Sequence, residues 1–331
     1  MRAVTIAPTP QGARHVLAEA PEPVVGPSDL LVEVYASAVN QADLRYASTH
    51  FAASESASGP AIGGLELAGE VIALGDRATG FTVGDRVMAM TGGAWAERVT
   101  VDHRLAVPVP SGFGWKDAAA TPVSYLTAHD CIAAAARLEP GESLLVQGAT
   151  TAAGLAVVQI ARHAGAQPVL GTTSKQAKVE RMRSLGCDVP IVRGSADVAQ
   201  AVRSATGGRG ADVVVDILGG AALRENVDAA AVLGRVICLG RVSGSRGELD
   251  LDEFARKRIR MTGVTFRTRS FDERCVVVAR FIRELLPALE NKAVRPVWDR
   301  SFDWADCAEA ELFLRSGHQF GKVLLSMKPS A

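Results

Sequence analysis

Three kinds of feature are scarce or missing in this chain of 331 residues, and each absence excludes something. Cysteine is sparse: five residues, at 131, 187, 238, 275 and 307, odd in number and widely spaced. That excludes a disulfide framework and fits a reducing compartment. Excess charge is missing too, with 36 basic against 36 acidic residues. No overall field draws the chain to nucleic acid or to an acidic membrane. The basic run Arg256, Lys257, Arg258 and Arg260 has no interleaved aromatics for base stacking and reads as a solvated helix end. Finally, there is no run of 18 apolar residues, and the N-terminal stretch has no apolar core of signal-peptide length. The expectation is a cytoplasmic protein with neither a membrane nor a nucleic-acid partner.

What is present suits a two-domain α/β enzyme. Apolar residues make up 48% of the chain and charged residues 22%, and 32 glycines imply many tight turns. Residues 143–178 carry the most information. The apolar run Leu144, Leu145, Val146 ends at Gly148, small residues follow to Gly154, and a helical pattern leads to a second strand-like run at Pro168–Leu170. This is the strand, glycine-bearing turn, helix and strand of a dinucleotide-binding unit. Before it, the first 110 residues read as short strands broken by turns, which suggests a small β-barrel-like domain. From about residue 124 helices and strands alternate. Helices are expected near 176–185, at 197–205 and over LRENVDAAAVLG, and strands over PIVR, ADVVVDIL and RVICLG. Such uniformly apolar strands belong to a parallel sheet covered on both faces. Near residue 260 the alternation stops. MTGVTF, a long helix around 272–290, VRPVWDRSF and KVLLSM then read as a return to the first domain. The expected division is 1–123, 124–260 and 261–331, with the cofactor domain inserted in a discontinuous partner.

The segments VEVYASAVNQADL, GGLELAGEVIALG, FTVGDRVMAM, GAWAERVTV, AAATPVSYLTAH, GGRGADVVVDILGG, RPVWDRSF and HQFGKVLL, in this order around the central turn, extend over nearly the whole chain. In them the chain resembles the zinc-independent quinone oxidoreductases of the medium-chain dehydrogenase/reductase superfamily, closest to the p53-inducible type. The resemblance implies a Rossmann doubly wound parallel sheet inserted in a GroES-like β-barrel-type substrate domain. Zinc members of the superfamily need a thiolate and a histidine where this chain has Asn40 and Leu65, neither a competent ligand. The cysteines of the structural zinc lobe are absent as well. The expectation is therefore no metal, and a homodimer by resemblance.

The turn Gly148, Ala149, Thr150, Thr151, Ala152, Ala153, Gly154 would offer backbone amides and a helix dipole to a pyrophosphate. It has fewer glycines than its counterparts in the family, and the two threonine hydroxyls are expected to donate in compensation. After the second strand come Thr172, Thr173, Ser174, Lys175, Gln176, Ala177 and Lys178, with no acid to take the ribose hydroxyls of NAD. Ser174 and Lys178, the latter matching the family's phosphate-binding lysine, favour NADPH. Arg193, where relatives often carry tyrosine, is expected to add a charge-assisted contact. By resemblance, Asn40 and Thr127 position the nicotinamide, Leu239 and Gly240 offer backbone groups, Phe266 and Arg267 close over the carboxamide, and Lys322 lies near the site.

Hydride transfer needs alignment, a nearby electrophile and exclusion of water. The family's pocket tyrosine is replaced by Phe51, so no proton donor is evident. Arg45, Tyr46, His50, Phe51 and Tyr125 are the expected pocket residues. The implied activity is NADPH-dependent reduction of a quinone, a small hydrophobic electron acceptor. Reduction of an enone or enoyl thioester is the alternative. A cofactor-binding structural or RNA-associated protein is the alternative from another class.

Overall fold

The computed structural model describes residues 1–9, 12–45 and 60–328. They form two compact units: Met1–Leu126 with Arg267–Lys292 and Pro296–Ala331, and Thr127–Phe266 with Ala293–Arg295.

The first unit opens with an antiparallel ribbon of β1 (Arg2–Thr9) and β2 (Gly12–Glu19). Next comes β3 (Asp29–Val39), whose period-two burial marks a strand with one face in the core. A short helix, α1 (Gln41–Arg45), leaves its end. There follow β4 (Glu66–Leu74), β5 (Arg86–Met90), β6 (Arg98–Asp102), β7 (Ala106–Pro108), α2 (Trp115–Ala119) and a π-helical turn at Pro122–Leu126.

The second unit begins with α3 (Thr127–Asp130) and a further π-helical turn, Cys131–Ala136. It then runs β8 (Leu144–Gln147), α4 (Ala152–His163), β9 (Val169–Thr173), α5 (Val179–Arg183), β10 (Val189–Val192), α6 (Val198–Ala205) and β11 (Ala211–Asp216). α7 (Ala222–Ala229), β12 (Ala230–Cys238), α8 (Leu251–Arg256) and β13 (Arg260–Gly263) complete it. The chain then returns to the first unit with α9 (Phe271–Glu284), α10 (Leu286–Glu290), β14 (Trp298–Asp303), α11 (Cys307–Arg315) and β15 (Lys322–Ser326).

In the first unit, the seven-stranded sheet runs β14-β15-β3-β4-β5-β7, with β6 also on β3. The C-terminal β15 pairs antiparallel with β3, matching Val323 with Val39. That pairing carries Lys322 to the end of β3, where Asn40 stands. In the second unit all pairings of the sheet β10-β9-β8-β11-β12-β13 are parallel, the Rossmann order. Its core joins Leu145, Leu170, Val214 and Val236 of the strands to Val198 and Val202 of α6 and Val227 of α7.

Three elements differ from the sequence expectation. The expected helix LRENVDAAAVLG ends at Ala229, and β12 takes over at Ala230, which pairs with Ala211. The ladder then slips before Val213 pairs with Arg235, leaving Val232 and Leu233 exposed and Leu233 at φ +65°. The long helix near 272–290 is two helices, with Pro287 in the first turn of the second, where its missing N–H does no harm. Residues 261–263, assigned to the return segment from the sequence, form β13 on β12 together with Arg260, and the second unit extends to Phe266.

Candidate active site

Within the second unit the central turn is held tightly. Gly148 takes φ +79°, a conformation that favours glycine. A Cβ at Gly154 would lie 2.5 Å from the Gly148 carbonyl oxygen, so only glycine lets the helix start so close to the strand end. Thr151 caps α4: its hydroxyl donates to the Gly148 carbonyl (2.9 Å) and accepts from the Gly154 amide (3.1 Å). Its one proton is therefore engaged within the turn, which corrects the expectation that both threonines donate to a phosphate. The Gly148 and Ala149 amides are bound to Thr172 as well, at its hydroxyl (2.9 Å) and its carbonyl (2.9 Å). The amides of Thr150, Ala152 and Ala153 remain for an anion at the start of α4. The residues present thus fit a pyrophosphate.

Thr172 is fully buried and donates to Gln147 Oε1 (2.9 Å), so it braces two strand ends and presents nothing outward. Ser174 and Lys175 are exposed just beyond it, whereas Lys178 is buried. Arg193 bonds through its amide to the Thr173 carbonyl (2.8 Å), which sets it beside this strand end. Its guanidinium does not stand alone, as Nη1 donates to Gln147 Oε1 (2.9 Å) and to Glu225 Oε1 (2.6 Å). The amides of Leu239 and Gly240 both donate to the Asp216 carbonyl (2.8 and 3.0 Å), leaving their carbonyls as the groups on offer. Burial raises the Asp216 carboxyl, partly offset by the Gly219 and Leu218 amides that bond to it. Thr127 opens α3 and is half-buried, Phe266 is buried, and Arg267 is exposed.

The first unit holds a second cluster, and it is more buried. The Lys322 ammonium donates to Glu66 Oε1 (2.7 Å), Asn40 Oδ1 (2.7 Å) and Ser124 Oγ (3.1 Å). An ammonium has three protons, and here all three have acceptors. Asn40 Nδ2 donates to the same Glu66 oxygen (2.9 Å), while Glu66 Oε2 accepts from the Val123 amide (2.8 Å) in the π-helical turn. The arrangement fixes the orientation of the Asn40 carboxamide: oxygen to lysine, nitrogen to glutamate. Asp43, one turn on in α1, accepts from the Asn40 amide (2.7 Å). Burial, opposed by that bond and reinforced by the neighbouring Glu66, pushes its carboxyl up to about 7. His15, whose positive form would favour the Asp43 anion, bonds through Nδ1 to Glu311 Oε1 (2.5 Å) and packs edge-on against Trp95.

Of the expected pocket residues, Tyr125 is buried in the π-helical turn. Tyr46, His50 and Phe51 lie outside the described residues, as does the side chain of Arg45. The sequence reading did not single out Glu66, Ser124, Asp43, Gln147 or Glu225. Glu66 carried the clearest signal, a lone acid inside the apolar stretch GGLELAG. No group of three or more metal-ligating side chains occurs among the described residues, and no described helix is long and apolar enough to cross a membrane.

Two family models match the chain in order: an alcohol dehydrogenase GroES-like domain over residues 26–111 and a zinc-binding dehydrogenase over residues 152–282. A mycobacterial protein solved in complex with NADPH is 27% identical with a TM-score of 0.87, covering 98% of this chain and 100% of that one. A quinone oxidoreductase of Pseudomonas syringae pv. Tomato DC3000 is also 27% identical, with a TM-score of 0.86 and coverage of 98% and 100%. By sequence, the pikromycin polyketide synthase component PikAII of Streptomyces venezuelae is 32% identical over 93% of this chain, which spans only 8% of that protein. The other curated relatives are similarly long, and this chain spans a small fraction of each. Parallel sheet, glycine turn and GroES-like partner together define a dehydrogenase/reductase architecture. The chain belongs to the medium-chain dehydrogenase/reductase superfamily.

Proposed function

We propose that the protein is an NADPH-dependent reductase that transfers hydride, without a metal, to a quinone. The observation that carries this is the Lys322–Glu66–Asn40 cluster. By resemblance, Asn40 occupies the place of the zinc-binding thiolate. Its only strong acceptor atom, and the carboxylate beside it, are both taken by a buried ammonium. A divalent cation there would have to displace that ammonium and would find no thiolate or imidazole, so the donor set suits hydride transfer by alignment alone.

NADPH, when bound, supplies the hydride from its nicotinamide ring. The amides of Thr150, Ala152 and Ala153 hold the pyrophosphate at the start of α4. Ser174, Lys175 and Lys178 lie at or just beyond the end of β9 and take the 2′-phosphate, with no carboxylate on that segment to oppose it. The NADPH complex of the mycobacterial relative supports this cofactor. Asn40, held at both ends of its carboxamide, positions the reacting ring, and Thr127, Phe266 and Arg267 keep the nicotinamide roles that the family resemblance implies. Lys322 holds Asn40 in place and donates no proton to the acceptor, because its three protons are engaged. Reduced quinone oxygens take protons from solvent, which fits a sequence with phenylalanine at position 51, where the family resemblance implies tyrosine. The quinone oxidoreductase of Pseudomonas syringae supports this acceptor class.

The matches within polyketide synthases favour a second reading, reduction of an activated alkene such as an enone or enoyl thioester. The homodimer, from the family resemblance, and the cytoplasmic location, from the few, odd-numbered and widely spaced cysteines, belong to the same proposal. The deciding experiment follows NADPH and NADH oxidation against quinones, enones and an enoyl thioester. Turnover confined to alkenes transfers the function to the second reading. Tight NADPH binding with no turnover of any acceptor replaces the enzyme by a cofactor-binding protein.

A further inference from the structure

Glu225 lies on α7, away from the motif that follows β9, yet it is wired to the cofactor turn. Its Oε1 accepts from Arg193 Nη1 (2.6 Å) and from Gln147 Nε2 (2.8 Å). Gln147 Oε1 accepts from Arg193 and from Thr172 Oγ1 (2.9 Å each), and Thr172 Oγ1 accepts from the Gly148 amide (2.9 Å). One unbroken chain of hydrogen bonds thus joins the carboxylate to the first amide of the glycine turn. The two charged side chains are partly open to solvent, 31% for Arg193 and 25% for Glu225, at the carboxyl ends of the strands where this fold binds its ligand. Arg193 is also tied by its amide to the Thr173 carbonyl, beside the exposed Ser174 and Lys175.

We propose that Glu225 determines cofactor specificity by neutralising Arg193, withholding one positive charge from the 2′-phosphate of NADPH and so limiting the preference over NADH. This rests on the NADPH reading above. A 2′-phosphate must draw Arg193 away from a carboxylate that already satisfies it, so part of the phosphate–arginine interaction is offset by the pair that is lost. NADH has no such group and leaves the pair intact.

The test is direct titration of NADPH and NADH, with adenosine 2′,5′-bisphosphate and AMP as short probes, on wild type, Glu225→Gln, Arg193→Gln and the double variant. Glutamine keeps the acceptor oxygen for Gln147 and Arg193 but drops the charge. Glu225→Gln is expected to tighten NADPH and the bisphosphate by about tenfold, the usual scale of one charge-assisted hydrogen bond, and to move NADH and AMP less than about twofold. The gain should vanish in the double variant, which also serves if either single variant is poorly folded. An unchanged NADPH-to-NADH ratio in Glu225→Gln overturns the proposal, and so does a loss confined to NADH, which would make Glu225 a ribose acceptor. Failure of the wild type to bind any dinucleotide overturns the cofactor reading itself.

Discussion

The ammonium of Lys322 lies 2.7 Å from the carboxylate of Glu66, and the two residues are 2% and 0% exposed. Lys322 opens β15 and Glu66 opens β4, and the two strands flank β3, which pairs with both and brings the residues together. Removing one partner of a buried pair strands the other charge, which costs about 3–5 kcal/mol. Lys322→Met is therefore expected to destabilise the first unit on that scale in urea unfolding. Glu66→Gln with Lys322→Met, which removes both charges, should recover much of the loss. If the single and double variants unfold at the same urea concentration, the pair is not a coupled ion pair.

The raised carboxyl of Asp43 makes stability depend on pH. Burial lifts it from its ordinary value of 3.8 to about 7, so between those values the folded protein holds a proton that the unfolded chain has lost. This contribution is fully present below about pH 4, is lost as pH rises towards 7 and stays lost above it. Three pKa units correspond to at most about 4 kcal/mol. Asp43→Asn keeps an oxygen for the Asn40 amide and removes the titration. Relative to wild type, the variant should gain stability from pH 5 to pH 8. Parallel wild-type and variant profiles across that range would show that Asp43 titrates normally.

Much of the architecture was legible in the sequence because it rests on local pattern. The apolar run ending at Gly148 and the small residues up to Gly154 encode a tight strand–turn–helix, and the structure uses both glycines for backbone conformation and close approach. What local pattern cannot encode is the partner of a polar side chain. Arg193 read as a phosphate ligand because of the place it holds in the family resemblance, while its partner Glu225 lies 32 residues away on another element. Lys322 and Asn40 are 282 residues apart. The AAAVLG segment misled for a different reason: alanine and leucine favour helix, and only pairing with β11 makes it strand.

Gly154 offers a sharper test of the turn. A Cβ there would meet the Gly148 oxygen at 2.5 Å and the Ala149 Cα at 2.8 Å, both backbone atoms that cannot swing away. Gly154→Ala must push α4 off the end of β8 and misplace the amides of Ala152 and Ala153. NADPH and NADH affinity should fall together by tenfold or more, on the order of the loss of one or two charge-assisted bonds. Thr151→Ala, which removes only the cap, should lower stability by about 1 kcal/mol with a smaller effect on binding. Undiminished dinucleotide affinity in Gly154→Ala would remove the turn from the cofactor site.

On the proposed reading, the segment after β9 separates the two cofactors. Ser174 and Lys175 are exposed and Lys178 is buried, so Lys178 would meet a phosphate from a fixed position and Lys175 from solvent. A charge in a partly desolvated setting acts more strongly than one that water screens. Lys178→Ala is therefore expected to weaken NADPH by about tenfold more than it weakens NADH, and Lys175→Ala by a smaller factor that shrinks further as salt is raised. Isothermal titration of both cofactors at two salt concentrations gives both comparisons. Equal losses for NADPH and NADH in Lys178→Ala would show that the lysine shapes the turn without reading the 2′-phosphate, and the preference for NADPH would then rest on Ser174 and Lys175.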